Sequence, residues 1–125
     1  MQLSHELPDY AFTLRSADGQ HARVNDRTLT ASFILSPQQL TEHWSVSDSS
    51  ALTPEDLAPL IALQPEVILL GTGDRQVFPP AAVMAACLRQ GVGLEVMTNA
   101  AAARTFNVLA GESRRVVAGF LLAPR

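Results

Sequence analysis

Side chains that could do chemistry follow two short apolar stretches in the second half of the chain. After the first stretch come Thr72, Asp74, Arg75 and Gln76. At and after the second come Glu95, Thr98, Asn99, Arg104, Thr105 and Asn107. Arginines can hold an anionic group, and a carboxylate such as Asp74 or Glu95 can act as a base. Together these ten residues form a candidate ligand or interaction site.

The residue patterns of common enzyme sites are incomplete in this chain. Gly71-Thr72-Gly73 begins like a dinucleotide fingerprint, but Gln76 stands where the third glycine belongs, and no Gly-Lys-Ser/Thr phosphate loop occurs. The three histidines are far apart in sequence and have no cysteine or carboxylate at ligand spacing. A nucleophile-elbow pattern does not occur either. We therefore predict no catalytic residue, no metal ion and no cofactor.

Arg104 is the candidate with two competing roles. It lies early in an alanine-rich segment that is typical of a helix, close to the loops that carry Asp74 and Glu95. Either it pairs with one of these carboxylates and holds the two loops together, or it binds an anion from solvent. We favour the structural pairing. Cys87 is predicted to be a small buried apolar residue, and Trp44 and Phe106 are predicted to be core or interface residues.

The elements that position these residues alternate between strand and helix. Residues 67–70 form an uninterrupted apolar run, which is typical of a strand buried on both faces. Helices are predicted at 80–90 and 100–110, and strands at 67–71, 93–97 and 115–122. Strands joined by helical crossovers are parallel, so the candidate loops leave the sheet at one carboxyl edge, where ligands commonly bind. At least one of Gly71 and Gly73 is expected to need a backbone conformation that only glycine adopts easily.

The first half of the chain is predicted to be rich in strands. Residues 10–15, 21–24 and 29–35 alternate between apolar and polar, so the last of these is expected to be a long, half-buried strand. The segment after Ser36 fits a helix start with a capping box, or a turn followed by a strand over 40–46, and we favour the turn and strand. Thr53 and Pro54 then predict a helix over 54–63.

Composition limits the class of protein. The chain has 125 residues, of which 47% are hydrophobic and 17% charged, and a net charge of −3, which predicts one globular domain over 1–125. Within this domain we expect an irregular segment at 1–9, a β-rich section at 10–46 and an α/β section at 53–122.

All nine basic residues are arginines, and only Arg114 and Arg115 are adjacent, which argues against a nucleic-acid-binding face. The N-terminus lacks the apolar core of a signal peptide, and no apolar run is long enough to span a bilayer, so a soluble cytoplasmic protein is expected.

A family resemblance rests on three segments, 70–73, 91–97 and 103–109, followed by Glu112 and 114–116. These resemble an uncharacterised domain family that includes mitochondrial complex I assembly factor 3 and an adipogenesis-associated vertebrate protein. The similarity runs from about residue 25 to 122. It implies a three-layer α/β/α sandwich with an appended β-rich section, and it implies protein partners of a respiratory or membrane complex. This chain differs from the family in having no mitochondrial presequence and in carrying Thr98-Asn99 where many relatives have an acid or serine followed by threonine.

Two functional hypotheses follow. The first is a non-catalytic binding or assembly module, monomeric or homodimeric, similar to complex I assembly factor 3. The alternative is an anion-binding protein or enzyme that uses the loops at the carboxyl edge, with Arg75 and Arg104 holding the anionic group. A deep polar pocket between Gly73 and Arg104 would favour the second hypothesis, and a flat apolar patch would favour the first.

Overall fold

A computed structural model describes residues 11–123 of the chain. The strands are β1 (Leu14–Ala17), β2 (Ala22–Val24), β3 (Arg27–Leu29), β4 (Phe33–Ser36), β5 (Gln39–Glu42), β6 (Val67–Gly71), β7 (Gly93–Met97) and β8 (Val116–Phe120). The helices are α1 (Ala58–Ile61), α2 (Ala81–Arg89) and α3 (Asn99–Gly111), with 3₁₀ turns at Ser49–Ala51 and Pro54–Leu57. The expected irregular segment 1–9, and the start of the first predicted strand at residue 10, lie outside the described residues.

The strands form two sheets. A three-stranded antiparallel sheet has the order β1-β2-β3, and a five-stranded sheet has the order β5-β4-β8-β6-β7. In the larger sheet β6 lies parallel to both β7 and β8, while β4 runs antiparallel to β8. The predicted α/β class is confirmed, and so is the parallel arrangement of the three strands predicted at 67–71, 93–97 and 115–122. The β-rich first half is divided, since β4 and β5 extend the main sheet and only β1 to β3 form a separate one.

The predicted single strand over 29–35 is wrong. β3 ends at Leu29 and β4 begins at Phe33, and the two strands belong to different sheets. The chain changes sheet at Ser32, which is buried: its hydroxyl accepts a hydrogen bond from the Leu122 N–H (2.9 Å) and its carbonyl accepts one from the Trp44 N–H (2.9 Å). β4 is buried on both faces rather than half-buried, because it lies inside the sheet between β5 and β8.

The next prediction, a turn and then a strand over 40–46, holds only for its first part. Ser36 and Gln39 face each other across a tight hairpin turn, as expected for the favoured alternative. β5 ends at Glu42, however, because His43 has a left-handed backbone (φ 66°) that interrupts an extended strand. Trp44 then turns inward and is buried, with its indole N–H donating to the Asp56 carbonyl (3.0 Å).

The helices follow their sequence signals closely. The predicted helix over 54–63 begins as a 3₁₀ turn at Pro54–Leu57 and continues as the short α1. The Asp56 carboxylate accepts a hydrogen bond from the Thr53 N–H (2.9 Å), which satisfies a donor at the helix start. α2 and α3 match their predicted spans to within about a residue at each end.

Two cores lie on opposite faces of the five-stranded sheet. On one face, α3 and the small sheet enclose a cluster that includes Leu69, Phe106 and the stacked rings of Phe33 and Phe120, whose centroids are 4.9 Å apart. On the other face, α1 and α2 cover a cluster that includes Ile68, Leu70, Cys87 and Trp44. Alternate residues of β6 therefore enter different cores, which gives the three predicted layers and explains the uninterrupted apolar run in the sequence.

Residues 121–123 connect the two sheets at the carboxyl edge by hydrogen bonds of their backbone N–H groups. Each of their N–H groups donates to a different part of the chain: Leu121 to the Gly71 carbonyl (2.9 Å), Leu122 to the Ser32 hydroxyl (2.9 Å) and Ala123 to the Gly19 carbonyl (2.8 Å). The hairpin between β1 and β2 is thereby held beside the ends of β6 and β8.

Candidate functional site at the carboxyl edge

The loop that follows β6 is fixed by the side chain of its first residue. The Thr72 hydroxyl donates to the Arg75 carbonyl (2.6 Å) and accepts from the Val77 N–H (3.0 Å), so it closes the loop on itself. The loop continues to Gln76, whose amide donates to the carbonyl of Val96 in β7 (2.8 Å). Gly73 gives the loop its bend, with φ at +103°, which confirms the glycine requirement predicted from the sequence.

Asp74 is exposed, yet its carboxylate also bonds across the edge of the sheet. Its carboxylate accepts a hydrogen bond from the Gly19 N–H (2.9 Å) in the β1–β2 hairpin. In the same hairpin, the Asp18 carboxylate accepts from the N–H groups of Gln20 (2.8 Å) and His21 (2.7 Å), and these hydrogen bonds hold the pKa of Asp18 below its ordinary value. The two carboxylates are thus used to hold backbone in place.

The start of α3 supplies the central polar contact of this edge. Thr98 caps the helix by accepting from the Ala101 N–H (3.2 Å). The next residue, Asn99, is fully buried, and its side-chain N–H groups donate to the carbonyls of Asp18 (2.8 Å) and Leu121 (2.9 Å). Within the described chain its side-chain oxygen has no hydrogen-bond partner. Asn99 therefore joins α3, the β1–β2 hairpin and the end of β8.

The remaining candidates on α3 and β7 lie away from this contact. Arg104 is exposed and, among the described residues, forms no ion pair with Asp74 or Glu95, so the predicted structural pairing is wrong. The reason is that Arg104 lies on the outer face of α3, Glu95 is exposed on the edge strand, and Asp74 is bonded to Gly19.

One turn after Arg104, the Asn107 amide donates to the Leu14 carbonyl (2.7 Å) and accepts from the Leu14 N–H (3.0 Å), which fixes β1 against α3. The intervening Thr105 is partly buried.

A recess of about 350 Å³ opens at this edge, on the side of Gly73 that faces residues 18–20 and 121–123. Its lining includes Thr72, Asp74 and Arg75 from the predicted set, together with Asp18 and Ser47, which sequence reasoning missed. Asp18 and Ser47 come close to the recess because distant segments of the chain pack together. No local sequence pattern therefore predicted that they line it. The lining does not include Gln76, Glu95, Thr98, Asn99, Arg104, Thr105 or Asn107. Two carboxylates and one guanidinium make the recess a poor match for the expected anion.

The same loop exposes two apolar side chains that were not among the predicted site residues: Val77, which lines the recess, and Phe78. Val77 is 37% exposed and Phe78 is 60% exposed. The backbone here is held from both sides, because the Val77 N–H donates to Thr72 and the Val77 carbonyl accepts from the Ser49 hydroxyl (2.6 Å). The loop therefore presents a valine and a phenylalanine on a fixed backbone. The local signal was an apolar pair directly before Pro79 and Pro80 in an otherwise polar loop.

Two further properties concern metal ions and membranes. Within residues 11–123, no three His, Cys, Asp or Glu side chains are grouped so that they could hold a metal ion. In the same part of the chain, none of the helices has the length and apolar composition that crossing a bilayer requires.

Comparison with protein families gives a match over residues 14–121 to proteins of unknown function described as DUF498/DUF598. The chain belongs to this family. The matched range includes both sheets, all three helices and the carboxyl-edge loops. The resemblance predicted from 70–73, 91–97 and 103–109 is confirmed.

One relative with a solved structure shares the fold, and two relatives found by sequence carry different descriptions. A Xanthomonas campestris protein with an NMR structure is 56% identical, with a TM-score of 0.83, over 98% of this chain and 92% of that one. A 13 kDa major membrane protein of Francisella tularensis is 32% identical over 66% of this chain and 68% of its own. The zebrafish NADH dehydrogenase [ubiquinone] 1 alpha subcomplex assembly factor 3 is 30% identical over 81% of this chain. The chain spans 59% of the length of that assembly factor.

Proposed function

We propose that this protein is a non-catalytic binding module that assists the assembly of a respiratory NADH dehydrogenase, and that Val77 and Phe78 anchor its protein partner. The observation that carries the proposal is the exposure of these two residues on a loop whose backbone is already fixed. The assembly role comes from the similarity to assembly factor 3 and is extended here to a chain that spans 59% of the zebrafish relative.

The polar groups of the carboxyl edge support a binding role over a catalytic one. A catalytic acid, base or nucleophile must be within reach of a substrate. At this edge Thr72, Asp74 and Asn99 bond to backbone groups of the protein itself. Of the two arginines predicted to hold an anionic group, Arg75 lines the recess and Arg104 does not. These polar side chains thus build a rigid edge and leave few groups for chemistry.

An aromatic side chain on such an edge is suited to recognition. Large aromatic residues contribute much of the binding energy in protein interfaces when they fill a pocket on the partner. Ordering a mobile loop during association costs free energy, and a loop that is already held by hydrogen bonds avoids much of that cost. Phe78 combines both features. It is 60% exposed, and it directly follows Val77, whose backbone N–H and carbonyl both form hydrogen bonds.

The proposal is tested in a bacterium that carries this gene. Deleting the gene should lower the amount of assembled NADH dehydrogenase on native gels, and expressing the parent protein should restore it. A Phe78→Ser variant should fold normally, because an exposed side chain contributes little to stability, yet it should fail to restore assembly. A photo-crosslinking amino acid at position 78 should capture a subunit of the enzyme.

Val108→Ser is the matched control. Val108 is 58% exposed, nearly the same as Phe78, but it lies in the last third of α3, whose core residues are on the face of the main sheet opposite to α1 and α2. The control variant should restore assembly as well as the parent does. Equal rescue by Phe78→Ser, at equal protein level, would contradict the role given to the loop. An unchanged level of assembled enzyme in the deletion strain would contradict the assembly role itself.

The alternative hypothesis, an anion-binding protein or enzyme at the carboxyl edge, has less support because Asp18 and Asp74 line the recess with Arg75. A cytoplasmic location and a monomeric or homodimeric state stay predictions.

A further inference from the structure

A second cavity lies at the opposite, amino edge of the main sheet. It has a volume of about 300 Å³ and surrounds the first residues of the central strand β8. Its walls come from three separate parts of the chain: the hairpin turn between β4 and β5, the segment before β6 and the end of α3. This volume is at the lower end of the range for small-molecule sites, so a ligand there must be small.

The lining of the cavity is mixed but mainly apolar. Its apolar residues are Pro37, Leu63, Pro65, Ala110, Val116 and Val117, and Ser36, Gln38 and Ser113 also line it. Val116 belongs to the core on the α3 face and Val117 to the core on the α1 and α2 face, so the cavity reaches the sheet where the two cores end. An apolar group that enters this space gains the free energy of leaving water.

The rim of the cavity is basic. Arg114 and Arg115 both line it. Arg114 is paired with the Glu66 carboxylate at 3.0 Å. Arg115 donates through Nε to the Gln64 carbonyl (3.2 Å), but among the described residues no carboxylate lies within ion-pair distance of its guanidinium. One positive charge at the cavity mouth is therefore not neutralised by a paired carboxylate in the described chain.

We propose that this cavity binds a small monocarboxylic acid with an apolar body, whose carboxylate pairs with Arg115 and whose body contacts the half-buried side chains of Pro37 and Leu63. A guanidinium matches a carboxylate in charge and in planar shape, and it binds one with charge-assisted hydrogen bonds. The apolar lining selects against small inorganic anions, which cannot use it. Arg115, which has no ion-pair partner among the described residues, offers one positive charge to a ligand with one negative charge. This site is separate from the carboxyl edge and does not depend on the proposed assembly role.

The test compares three ligands on the full chain. Octanoate has both the carboxylate and the apolar body, octanol lacks the charge, and acetate lacks the body. Octanoate should raise the melting temperature, because a ligand that binds only the folded state stabilises it. It should also shift the NMR signals of the Val116 and Val117 methyl groups. Octanol and acetate should each bind at least about tenfold more weakly, since each lacks one of the two contacts.

Arginine variants locate the carboxylate. Arg115→Gln should weaken octanoate binding about tenfold, and Arg115→Lys, which keeps the charge but loses the planar fork, should bind with intermediate affinity. Arg104→Gln is the control, because Arg104 is an exposed arginine on α3 that lines neither cavity. It should bind octanoate like the parent.

Three results would overturn the proposal. Octanoate could leave the Val116 and Val117 methyl signals unmoved, octanol could bind as tightly as octanoate, or Arg115→Gln could bind like the parent. The methyl signals also report whether Arg115→Gln has kept its fold, so a lost affinity with unchanged methyl positions in the free variant is assigned to the missing guanidinium.

Discussion

The side-chain oxygen of Asn99 lies so close to Gly71 that a Cβ atom on Gly71 would overlap it, and the same Cβ would approach the Phe120 ring at 3.1 Å. Asn99 cannot easily move away, because it is fully buried and bonded to the carbonyls of Asp18 and Leu121. The last residue of β6 and the first residue of α3 are therefore interlocked, and only glycine fits at position 71.

This interlock predicts a coupling between the two positions. Gly71→Ala should lower the free energy of unfolding by about 1–3 kcal/mol through overpacking. Asn99→Ala should cost a similar amount, about 1–3 kcal/mol, because two carbonyls lose their donor. In the double variant the alanine at 71 no longer meets the Asn99 oxygen, so the combined loss measured by urea unfolding should be clearly smaller than the sum. Strictly additive losses would show that the two residues do not constrain each other.

Gly73 is expected to be sensitive for a different reason. A Cβ there would meet no atom within 4 Å, but the backbone has φ at +103°, a conformation that L side chains rarely adopt. Gly73→Ala should therefore destabilise by about 1 kcal/mol or more through backbone strain alone. Gly111→Ala is the control, because Gly111 also has open space around it but lies at the end of α3. It should be neutral or stabilising by up to about 1 kcal/mol, and an equal loss in both variants would argue against strain at Gly73.

Sequence patterns were sufficient for the elements whose signals are local. The apolar run before Gly71 predicted a strand buried on both faces, and helical crossovers predicted parallel neighbours, as observed for β6, β7 and β8. The strand predicted over 29–35 failed because the alternation of Leu29 and Phe33 says which residues are apolar and not which sheet each one joins. The break at Ser32 depends on Leu122 and Trp44, which donate to Ser32 from distant parts of the chain.

The candidate site shows the same limit. The loop after Gly71 was placed correctly at the carboxyl edge, because strand direction determines that edge. What each side chain bonds to could not be predicted, since Asn99 is bonded to Asp18, 81 residues away, and Asn107 is bonded to Leu14, 93 residues away. Composition indicates which groups can donate and accept, whereas tertiary packing decides their partners.

Arg104 and Asn107 provide a comparison within one helix. Arg104 is exposed and has no carboxylate partner in the described chain, so Arg104→Ala should change the free energy of unfolding by no more than about 0.5 kcal/mol. Asn107 holds both backbone groups of Leu14, so Asn107→Ala should cost about 1–3 kcal/mol. Urea unfolding of the two variants checks both values. A large loss for Arg104→Ala would restore the structural role that the sequence suggested.

The ion pair between Arg114 and Glu66 predicts a pH dependence. The Arg114 side chain, followed by the Arg115 N–H, holds the pKa of Glu66 below its ordinary value of 4.5. Because the folded pKa is lowered, Glu66 contributes stability above pH 4.5, and this contribution is lost as the pH falls through the lower folded value. Arg114→Gln should move the Glu66 pKa back toward 4.5, as followed by NMR titration of its side-chain carboxyl carbon.

The stability difference between parent and Arg114→Gln isolates this pair from other titrating groups. Asp18 also has a lowered pKa, but it lies in the β1–β2 hairpin and should titrate alike in both proteins, so its effect cancels in the difference. The difference should shrink as the pH falls below 4.5, and it should shrink with added salt because the pair is exposed to solvent. Arg89→Gln removes another exposed arginine and should leave the Glu66 titration unchanged. An identical Glu66 midpoint in the parent and in Arg114→Gln would mean that the backbone N–H of Arg115, and not the Arg114 guanidinium, lowers the pKa of Glu66.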